Sequence, residues 1–567
     1  MSSNNLVQQL QGVVGRRHVC LSNIRKAPYC KGFRTGRGSA LLVVRPGSLI
    51  ELWRVLSACV AARAAIIMQA ANTGLTGGST PLASYDRNAV VISTLRIDRV
   101  VPIRQGTQVV CLAGATLQQL EKTLLPFERQ PHSVLGSSCI GASIVGGICN
   151  NSGGALVERG PAYTEYALFA RISTSGQLEL VNSLGIRLGD SPEDILERLD
   201  SGAIRDGDVT DNSKLASDRE YVERIRDVEA TEPSRYNADK RRLFDASGCS
   251  GKLAVFAVRL DTFEQYKTEK TYLLSTNNPE DFTDLRRDIL TKSANLPVSA
   301  EYIHRQTLDL SLRYGNDTVW LIDKLGTRRI PFLFRLRKQV DVFVDRFTER
   351  SETLVDRLLQ LLCRLLPTRI SPRLAQVIRD HDHHLILKFH GAGIEEFEEL
   401  LANTGDAAGF TYSRCGTREA ELLWLYRFAA AGAAIRYDSC HRQKVEGVVA
   451  LDVALPRNER DWFETLPPAL DARIETKLYY GHFLCHVLHQ DYLVRKGEDC
   501  EQVKRELLHL LKSRGAKYPA EHNHGHTYDA PQHVKAFYRE ADPTNTLNPG
   551  VGGMSTHEYY GSSMKEV

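Results

Sequence analysis

The chain has 567 residues, 42% hydrophobic and 25% charged, which is ordinary for a globular protein of about three or four domains. Its formal net charge of only +4 excludes the global basic field that nucleic-acid-binding proteins usually carry. The 12 cysteines are scattered without a CxxC pair, so free thiols in a reducing compartment are a simpler interpretation than a zinc ribbon or a thioredoxin-type site.

The sequence carries no sign of export or of a membrane span. The N-terminal stretch MSSNNLVQQLQGVVGRRH lacks the basic and then apolar regions of a signal peptide. No apolar run of about 20 residues follows it. We therefore expect a cytosolic protein, or one that attaches to a membrane from the side.

Strand and helix patterns alternate over roughly the first 260 residues. Residues 41–69 predict a βαβ unit, because an apolar run, a Pro-Gly break, a helix-period segment and a second apolar run follow one another. VVISTL and QVVCLAGATLQQLEKTLLPF repeat strand and helix, and GKLAVFAVRLDTFEQ predicts a further strand. ALFARISTSGQLELV predicts a hairpin that turns at Ser175-Gly176. Residues 187–245 are polar and predict loops with short helices.

Residues 305–380 differ from the rest, because basic residues outnumber acidic ones among bulky apolar side chains, as in RRIPFLFRLRKQVDVFVDRF. One interpretation is a set of solvated helix faces. The other is a patch for an anionic membrane, where each Arg or Lys contributes about 1 kcal/mol and Phe and Leu enter the interface. On the second interpretation, neutralising Arg335, Arg337 and Lys338 would weaken binding to anionic vesicles in a salt-dependent way.

The α+β pattern returns after residue 380. HHLILKF and GVVALDVALP predict strands. DWFETLPPALDARI and CEQVKRELLHLLKSRGA predict helices, and a glycine ends the second of them.

Two glycine-rich stretches, QAANTGLTGGSTP at 69–81 and IGASIVGGICNNSGG at 140–154, contain almost no ionisable side chains. Small residues let backbone N–H groups approach an anion closely, and a diphosphate is the usual ligand of two such loops. The alternative is a pair of ordinary tight turns. Neither stretch matches GxGxxG or GxxxxGK[ST], so a nicotinamide-binding Rossmann domain and a P-loop find no support.

These stretches, with VVRPGS, LAGATLQQLE and PHSVLGSSC, resemble the FAD-binding module of the vanillyl-alcohol-oxidase, or PCMH-type, flavoprotein family. More narrowly, YCKGFRTGRG, GPAYTE, YGHFLCHVLHQDY, YPAEHNHGH and DPTNTLNPG resemble the respiratory, quinone-dependent D-lactate dehydrogenases of Gram-negative bacteria, nearly end to end. The resemblance implies non-covalent FAD, whose pyrophosphate the two loops would wrap. The FAD-contacting positions that it implies are Ala70, Ala71, Asn72, Thr73, Gly74, Gly78, Ser79, Gly136, Ser143, Gly153 and, through its backbone, Val255.

Histidines cluster in two segments near the C-terminus, GHFLCHVLHQ and AEHNHGH. Imidazoles and a carboxylate from two segments can bind a divalent metal or supply a general base. Surface histidines without a role are the alternative. The wider family of 2-hydroxyacid dehydrogenases implies His482, His489 and Glu521 as metal ligands at the catalytic centre and His522 as the base. Those relatives carry Gly-Asp-Gly-Asn between the two histidines, whereas this chain has FLCHVL, which leaves metal binding open.

Oxidising a 2-hydroxyacid requires a base for the hydroxyl proton, a hydride acceptor and a cation for the carboxylate. A bidentate guanidinium suits the carboxylate best. Arg427 in LLWLYRF fits the family position, and Arg436 in AAIRY is the reserve. The alternative for either arginine is a structural ion pair. DPTNTLNPG has turn chemistry, and by resemblance it returns the C-terminus to the FAD domain with Asn548 near the flavin.

The predicted fold class is α+β: a two-subdomain PCMH-type FAD-binding domain, an α+β cap and a basic helical membrane-docking insertion. The predicted boundaries are 1–261 with a return at 513–567 for the FAD domain, 262–303 and 381–512 for the cap, and 304–380 for the insertion.

The predicted function is oxidation of D-lactate to pyruvate, with hydride to FAD and electrons to ubiquinone. We expect a peripheral enzyme at the cytoplasmic face of the inner membrane, bound to anionic phospholipid, with neither nucleic acid nor NAD as a partner. One alternative is a soluble FAD dehydrogenase for another D-2-hydroxyacid, such as glycolate or 2-hydroxyglutarate, with a protein acceptor. Another is a membrane-bound scaffold that has lost catalysis.

Overall fold

The computed structural model describes most of the chain, and the described ranges are residues 3–133, 140–210, 213–326, 351–404 and 409–561. Four residues of the sequence predictions lie outside these ranges, namely Gly136, Arg335, Arg337 and Lys338.

The first sheet contains four strands in the order β1-β2-β4-β3, and β2, β4 and β3 are mutually parallel: β1 Val19–Cys20, β2 Leu42–Val44, β3 Ala65–Gln69 and β4 Ala89–Ser93. The helices of this part are α1 Ser3–Val14, α2 Asn23–Cys30 and α3 Leu49–Ala61. The side chain of Ser48 caps α3 by accepting a hydrogen bond from the backbone N–H of Glu51. The predicted βαβ unit at 41–69 is confirmed as β2, α3 and β3.

The second sheet is antiparallel, with the order β5-β6-β10-β8-β9: β5 Val100–Ile103, β6 Gln108–Leu112, β8 Ala167–Ile172, β9 Leu178–Asn182 and β10 Ala254–Asp261. A separate two-stranded ribbon pairs β7 Arg129–Gln130 with β11 Phe263–Glu264. The predicted hairpin is confirmed by the pairing of β8 with β9. The helices here are short: α4 Leu117–Leu124, α5 Ile144–Cys149, α6 Pro192–Ser201 and α7 Tyr221–Arg226. The last two lie within residues 187–245, where short helices were predicted.

A seven-stranded antiparallel sheet, which we call the cap sheet, forms most of the rest, in the order β15-β12-β14-β13-β17-β18-β16. Its strands are β12 Glu269–Thr276, β13 Ser299–His304, β14 His383–His390, β15 Thr411–Cys415, β16 Val445–Ala454, β17 Ile474–His482 and β18 Val487–Arg495. One face packs on α8 Pro279–Lys292, α13 Ala392–Thr404 and α16 Cys500–Ser513. Because side chains alternate along a strand, residues such as Ile303 and Tyr480 lie on the opposite face.

Among the described residues, five helices form a layer on that opposite face: α9 Arg305–Tyr314, α10 Asn316–Leu325, α11 Ser351–Leu365, α12 Pro372–Asp380 and α14 Thr417–Cys440. The 24-residue helix α14 contacts α9, α10 and α11 as well as the sheet. No helix in the described part of the chain combines the length and the apolar character needed to cross a bilayer.

The remaining helices are α15 Pro468–Asp471 and α17 Gln532–Ala541. The prediction of a helix across DWFETLPPALDARI is wrong, because only the four residues of α15 are helical there. Pro467 and Pro468 explain the difference, since proline disfavours helical backbone before it and starts a helix well. The helix predicted at CEQVKRELLHLLKSRGA is confirmed as α16.

The C-terminal segment pairs with the first sheet. Leu547 forms a parallel bridge with Ile66 of β3. The amide of Asn548 accepts a hydrogen bond from the backbone N–H of Met68, at 2.9 Å, and donates one to the carbonyl of Gly78, also at 2.9 Å. This asparagine therefore joins the chain end to β3 and to the first glycine-rich stretch.

Several histidines of the cap are buried and uncharged. Burial lowers the pKa of His383 and His304 to about 4 and that of His384 to about 3. His384 shares a 2.9 Å hydrogen bond with the hydroxyl of Ser275 in the sheet interior. These histidines take up protons on unfolding at pH values between their folded pKa and the ordinary value near 6.5, so acid favours the unfolded chain across that window.

We predict that the free energy of unfolding falls as the pH drops from 7 to 5, with His384 contributing about 2 kcal/mol of the loss at pH 5. Urea titrations across this range measure it. His384→Gln should make the pH dependence shallower by that amount, whereas His509→Gln, a change at an exposed position, should leave it unaltered. Equal slopes in both variants would contradict the assignment.

Candidate functional site

A cleft of about 1170 Å³ separates the glycine-rich stretches from the cap sheet. Ten of the eleven predicted FAD-contacting residues line it, and the eleventh, Gly136, lies outside the described residues. The ten are Ala70, Ala71, Asn72, Thr73, Gly74, Gly78, Ser79, Ser143, Gly153 and Val255. The structure thus brings residues far apart in sequence to one wall.

Hydrogen bonds among its own small side chains fix the first glycine-rich loop. Asn72 has a left-handed backbone, with φ +53°, and its amide donates to the carbonyl of Lys31 at 2.9 Å. Its amide oxygen accepts from the hydroxyl of Ser79 at 3.0 Å. A Cβ added at Gly74 would meet no protein atom within 4 Å, so the loop backbone borders open space there.

The second loop leads into α5, where the hydroxyl of Ser143 accepts a hydrogen bond from the backbone N–H of Gly146 at 3.3 Å. Beyond α5, the side chain of Asn150 accepts a hydrogen bond from Asn523. A Cβ at Gly153 would collide with the carboxylate of Glu521, so a larger residue does not fit without displacing that carboxylate. Glycine at 153 therefore permits close approach of the loop to the C-terminal segment.

The two loops have the features needed to hold a dinucleotide cofactor. They offer backbone groups, hydroxyls and amides, but no acidic side chain that would repel a diphosphate. The cleft exceeds the usual range of ligand sites, roughly 300–1,000 Å³, so it has room for a ligand larger than a small acid.

The opposite wall is one face of the cap sheet. Glu301 pairs with His482, Tyr480 pairs with His489, and His489 pairs with Asp452 across neighbouring strands. Directly paired residues project to the same face, so four strands present these side chains together. The sequence predictions named the two histidines but missed Glu301, Asp452 and Tyr480. An acidic residue inside a predicted strand, as in GVVALDVALP, is the signal that would have found Asp452. No strand was predicted at SAEYIH, so Glu301 had no such signal.

Buried Glu301 joins the arginine of the site to one histidine. One carboxylate oxygen lies 2.6 Å from Nη2 of Arg427, and the other contacts Nδ1 of His482. Burial alone would raise the pKa of Glu301, but Arg427 and His482 hold it below its ordinary value. The guanidinium of Arg427 also lies over the ring of Tyr480, 4.6 Å from its centroid.

Glu521 is the second buried carboxylate of the site. It forms an ion pair with Arg235, and one of its oxygens lies 3.3 Å from Nε2 of His482. Burial opposes its ionisation, yet Arg235 and His482 keep the pKa of Glu521 well below the usual range. Burial likewise lowers the pKa of His482, but Glu301 and Glu521 raise it to about 10. The negative charge around His482 suits a bound cation.

Asp452 orients the segment that carries the predicted base. Its carboxylate accepts hydrogen bonds from the backbone N–H groups of Glu521, at 2.7 Å, and of His522, at 3.2 Å. Its other oxygen lies 3.3 Å from Nδ1 of His489. Burial alone would raise the pKa of Asp452, but the imidazoles of His522 and His489 hold it below its ordinary value.

Within the described ranges, two sets of three side chains have the spacing of a metal site, with ligand atoms within 4.8 Å of one another. One is the predicted set of His482, His489 and Glu521, and the other contains Asp452, His489 and His522. Nitrogen and carboxylate ligands of this kind suit zinc and other first-row divalent ions. The residues present therefore fit a divalent cation, despite the altered FLCHVL spacer.

The two candidate arginines differ in position. Arg427 borders the cleft, whereas Arg436 lies 2.5 Å from Asp317 and is not among the lining residues that the structure describes. Arg34, which sequence reasoning did not select within YCKGFRTGRG, also borders the cleft and lies 3.0 Å from Asp491. The hydroxyl of Tyr480 donates to the same aspartate at 2.8 Å.

Comparison with known proteins agrees with this geometry. A family model described as "D-lactate dehydrogenase, membrane binding" matches residues 271–560, and one described as "FAD binding domain" matches residues 40–174. The quinone-dependent D-lactate dehydrogenase of Escherichia coli is 52% identical over 97% of this chain and 96% of that protein. The enzyme of that name from Haemophilus influenzae is 48% identical over 99% and 100%.

The fold also matches solved structures. A p-cresol methylhydroxylase superposes with a TM-score of 0.59 over 97% of each chain, at 12% identity. This likeness confirms the predicted PCMH-type fold class, and the family model at residues 40–174 confirms the predicted FAD cofactor. With a glycine-lined cleft, a histidine and carboxylate wall and end-to-end similarity to those enzymes, the chain belongs to the quinone-dependent D-lactate dehydrogenase family.

Proposed function

We propose that this chain oxidises D-lactate to pyruvate with FAD as its cofactor and passes the electrons to a membrane quinone. The observation that carries the proposal is the cleft itself, because the glycine-rich loops border one side and His522, Arg427 and the histidine pair border the other. A soluble dehydrogenase for another hydroxyacid receives less support, because the full-length relatives are quinone-dependent D-lactate dehydrogenases.

We further propose the predicted division of the chain. The FAD domain comprises residues 1–261 with the return at 513–567, and the cap comprises 262–303 and 381–512. The docking segment is 304–380. The bridge between Leu547 and Ile66 supports the return.

The residues divide the chemistry among them. D-lactate loses the proton of its hydroxyl group and a hydride from the carbon that carries this hydroxyl, which leaves pyruvate. FAD, when held by the glycine-rich loops, supplies the hydride acceptor. His522 takes the hydroxyl proton, and Asp452 fixes the backbone that carries it. Arg427, oriented by Glu301, pairs with the substrate carboxylate, and nearby Arg34 adds positive charge.

His482, His489 and Glu521 would hold a divalent cation, which would supply a Lewis acid beside the substrate hydroxyl. Two further carboxylates fix the orientation of the two histidines. Glu301 contacts the remaining nitrogen of His482, and Asp452 lies beside Nδ1 of His489. Such partners orient ligand imidazoles for coordination.

We predict that His522→Ala retains the flavin absorbance but lowers the rate of flavin reduction by D-lactate by about 100-fold or more, since general-base catalysis contributes about that much. Anaerobic stopped-flow absorbance measures the rate. His509→Ala, at an exposed position away from the cleft, serves as the control and should match the parent. A His522→Ala enzyme reduced at the parent rate would remove this residue from the mechanism.

We also predict that the protein loaded with Zn²⁺ or Mn²⁺ retains a single cation per chain after gel filtration, and that His489→Gln loses it. Emission spectrometry of the metal content measures this directly, without reference to turnover. His509→Gln should retain the metal. The same metal content in the His489→Gln protein would exclude His489 as a ligand.

The membrane-docking part of the proposal rests on helix α11. Four of its leucines are exposed, with exposures between 58% and 81%, at the spacing of one helix face: Leu358, Leu361, Leu362 and Leu365. The inward face instead buries Asp356, Gln360 and Cys363. A helix that buries polar groups and exposes leucine suits an apolar environment outside the protein. Arg357 and Arg364 on the exposed side supply positive charge for anionic phospholipid.

This arrangement supports peripheral attachment to a membrane. We propose the cytoplasmic face of the inner membrane as the place of attachment, where anionic headgroups and quinone are both available. The family model described as membrane binding includes α11 within residues 271–560.

We predict that replacing Leu361, Leu362 and Leu365 together with serine weakens binding to vesicles containing anionic phospholipid by about 100-fold, because each leucine contributes about 1 kcal/mol. Vesicle sedimentation measures the binding, and added salt should weaken it further through the arginines. Leu125→Ser, an equally exposed leucine near the second sheet, should bind as the parent does. Unchanged binding by the triple variant would place the docking surface elsewhere.

A further inference from the structure

The cleft extends beyond the residues used above, along one side of helix α14. Four residues of α14 border this extension together with Ile322 of α10: Trp424, Leu425, Phe428 and Ala431. We call these five residues and the space beside them the α14 arm. Its wall is apolar, whereas the wall around His482 is charged, so the two regions suit different ligands.

The α14 arm is continuous with the catalytic wall. Arg427 lies on the same helix, over the ring of Tyr480. Less than one turn earlier, the ring of Trp424 lies 5.7 Å from the ammonium of Lys388 on the cap sheet. The arm therefore begins beside Arg427 and Glu301, at the edge of the polar site.

In the part of the chain that the structure describes, two hydrogen-bond donors at this junction lack partners. Within the described ranges, neither the indole Nε1 of Trp424 nor Nε of Arg427 has a hydrogen-bond acceptor, although both atoms are buried. An unpaired buried donor is costly, which favours a ligand that brings an acceptor oxygen. An apolar ligand with a carbonyl at one end would pack against the apolar wall and accept a hydrogen bond from Nε1 of Trp424.

The far end of the arm lies toward the polar residues Asp323, Arg418 and Glu421, which also border the cleft. From Arg418 to Ala431, α14 rises by about 20 Å, several times the length of a three-carbon acid. Helices α10 and α14 both contact α11, whose leucines face outward. The arm and the proposed docking helix thus belong to one helical layer.

We propose that the α14 arm binds the electron acceptor, a quinone with an isoprenoid tail. One ring carbonyl accepts a hydrogen bond from Nε1 of Trp424, and the tail lies against Ile322, Leu425 and Phe428. The inference rests on the proposed function, which supplies the electrons. In the complete reaction D-lactate gives up two electrons and two protons to become pyruvate, and the quinone takes up two electrons and two protons to become the quinol.

The first test measures binding in the holoenzyme. Decylubiquinone should quench the fluorescence of Trp424, one of only four tryptophans in the chain. Trp424→Phe, which keeps the wall apolar but removes the N–H, should lose most of the quenching. Phe428→Ser should keep the tryptophan and weaken quinone binding by about tenfold. Equal quenching and affinity in all three proteins would overturn the proposal.

The second test separates the two half-reactions by stopped-flow absorbance. In Phe428→Ser and Trp424→Phe, reduction by D-lactate should proceed at the parent rate, reoxidation by decylubiquinone should slow, and reoxidation by ferricyanide should not change. Parent-like reoxidation by decylubiquinone would overturn the arm as the quinone site. Failure of the parent enzyme to be reduced by D-lactate would instead overturn the proposed function.

The matched control is Leu365→Ser on α11. It should lower vesicle binding but leave reoxidation by decylubiquinone in detergent unchanged. If Phe428→Ser altered the affinity for longer 2-hydroxyacids and not for decylubiquinone, the arm would be a substrate pocket, and the quinone proposal would fail.

Discussion

The buried ion pair between Glu521 and Arg235 is the interaction on which the site depends. Arg235 also donates to the carbonyl of Gly154, at 2.9 Å, so one guanidinium holds the second glycine-rich loop and the C-terminal segment together. Gly153 has room for this contact only because it lacks a side chain. Removing one partner of a buried ion pair costs about 3–5 kcal/mol. The pair therefore joins the wall formed by the glycine-rich loops firmly to the wall of histidines and carboxylates.

The remaining charges of the site follow from that contact. Glu521 faces His482, His482 faces Glu301, and Glu301 faces Arg427, so each buried charge has a partner of opposite sign. Asp452 ties the neighbouring backbone into the same network. Such a network fixes the proposed base, cation site and carboxylate site relative to one another before substrate enters, which is what oriented catalysis requires. The charged wall then gives way to the apolar α14 arm. The proposed base and the proposed quinone site therefore lie on neighbouring but chemically distinct surfaces.

Much of the site could be predicted from local sequence, because glycine-rich loops and clustered histidines are local patterns. The resemblance supplied the roles of His522 and Arg427, and the structure places both at the cleft. Glu301 and Arg235 were not predicted, since their partners lie 181 and 286 residues away and no motif joins them. The FLCHVL spacer left the metal set open because sequence alone did not show that His482 and His489 lie on paired strands, with a left-handed His486 in the turn between them.

The most direct test of the account is the flavin absorbance of the purified protein, recorded without oxygen before and after addition of D-lactate and then, in a fresh sample, of L-lactate. We expect a yellow protein whose flavin band D-lactate bleaches and L-lactate does not. A colourless protein that takes up no added FAD would contradict the assignment of both glycine-rich loops. A flavin band that D-lactate leaves unchanged would contradict the assignment of the substrate.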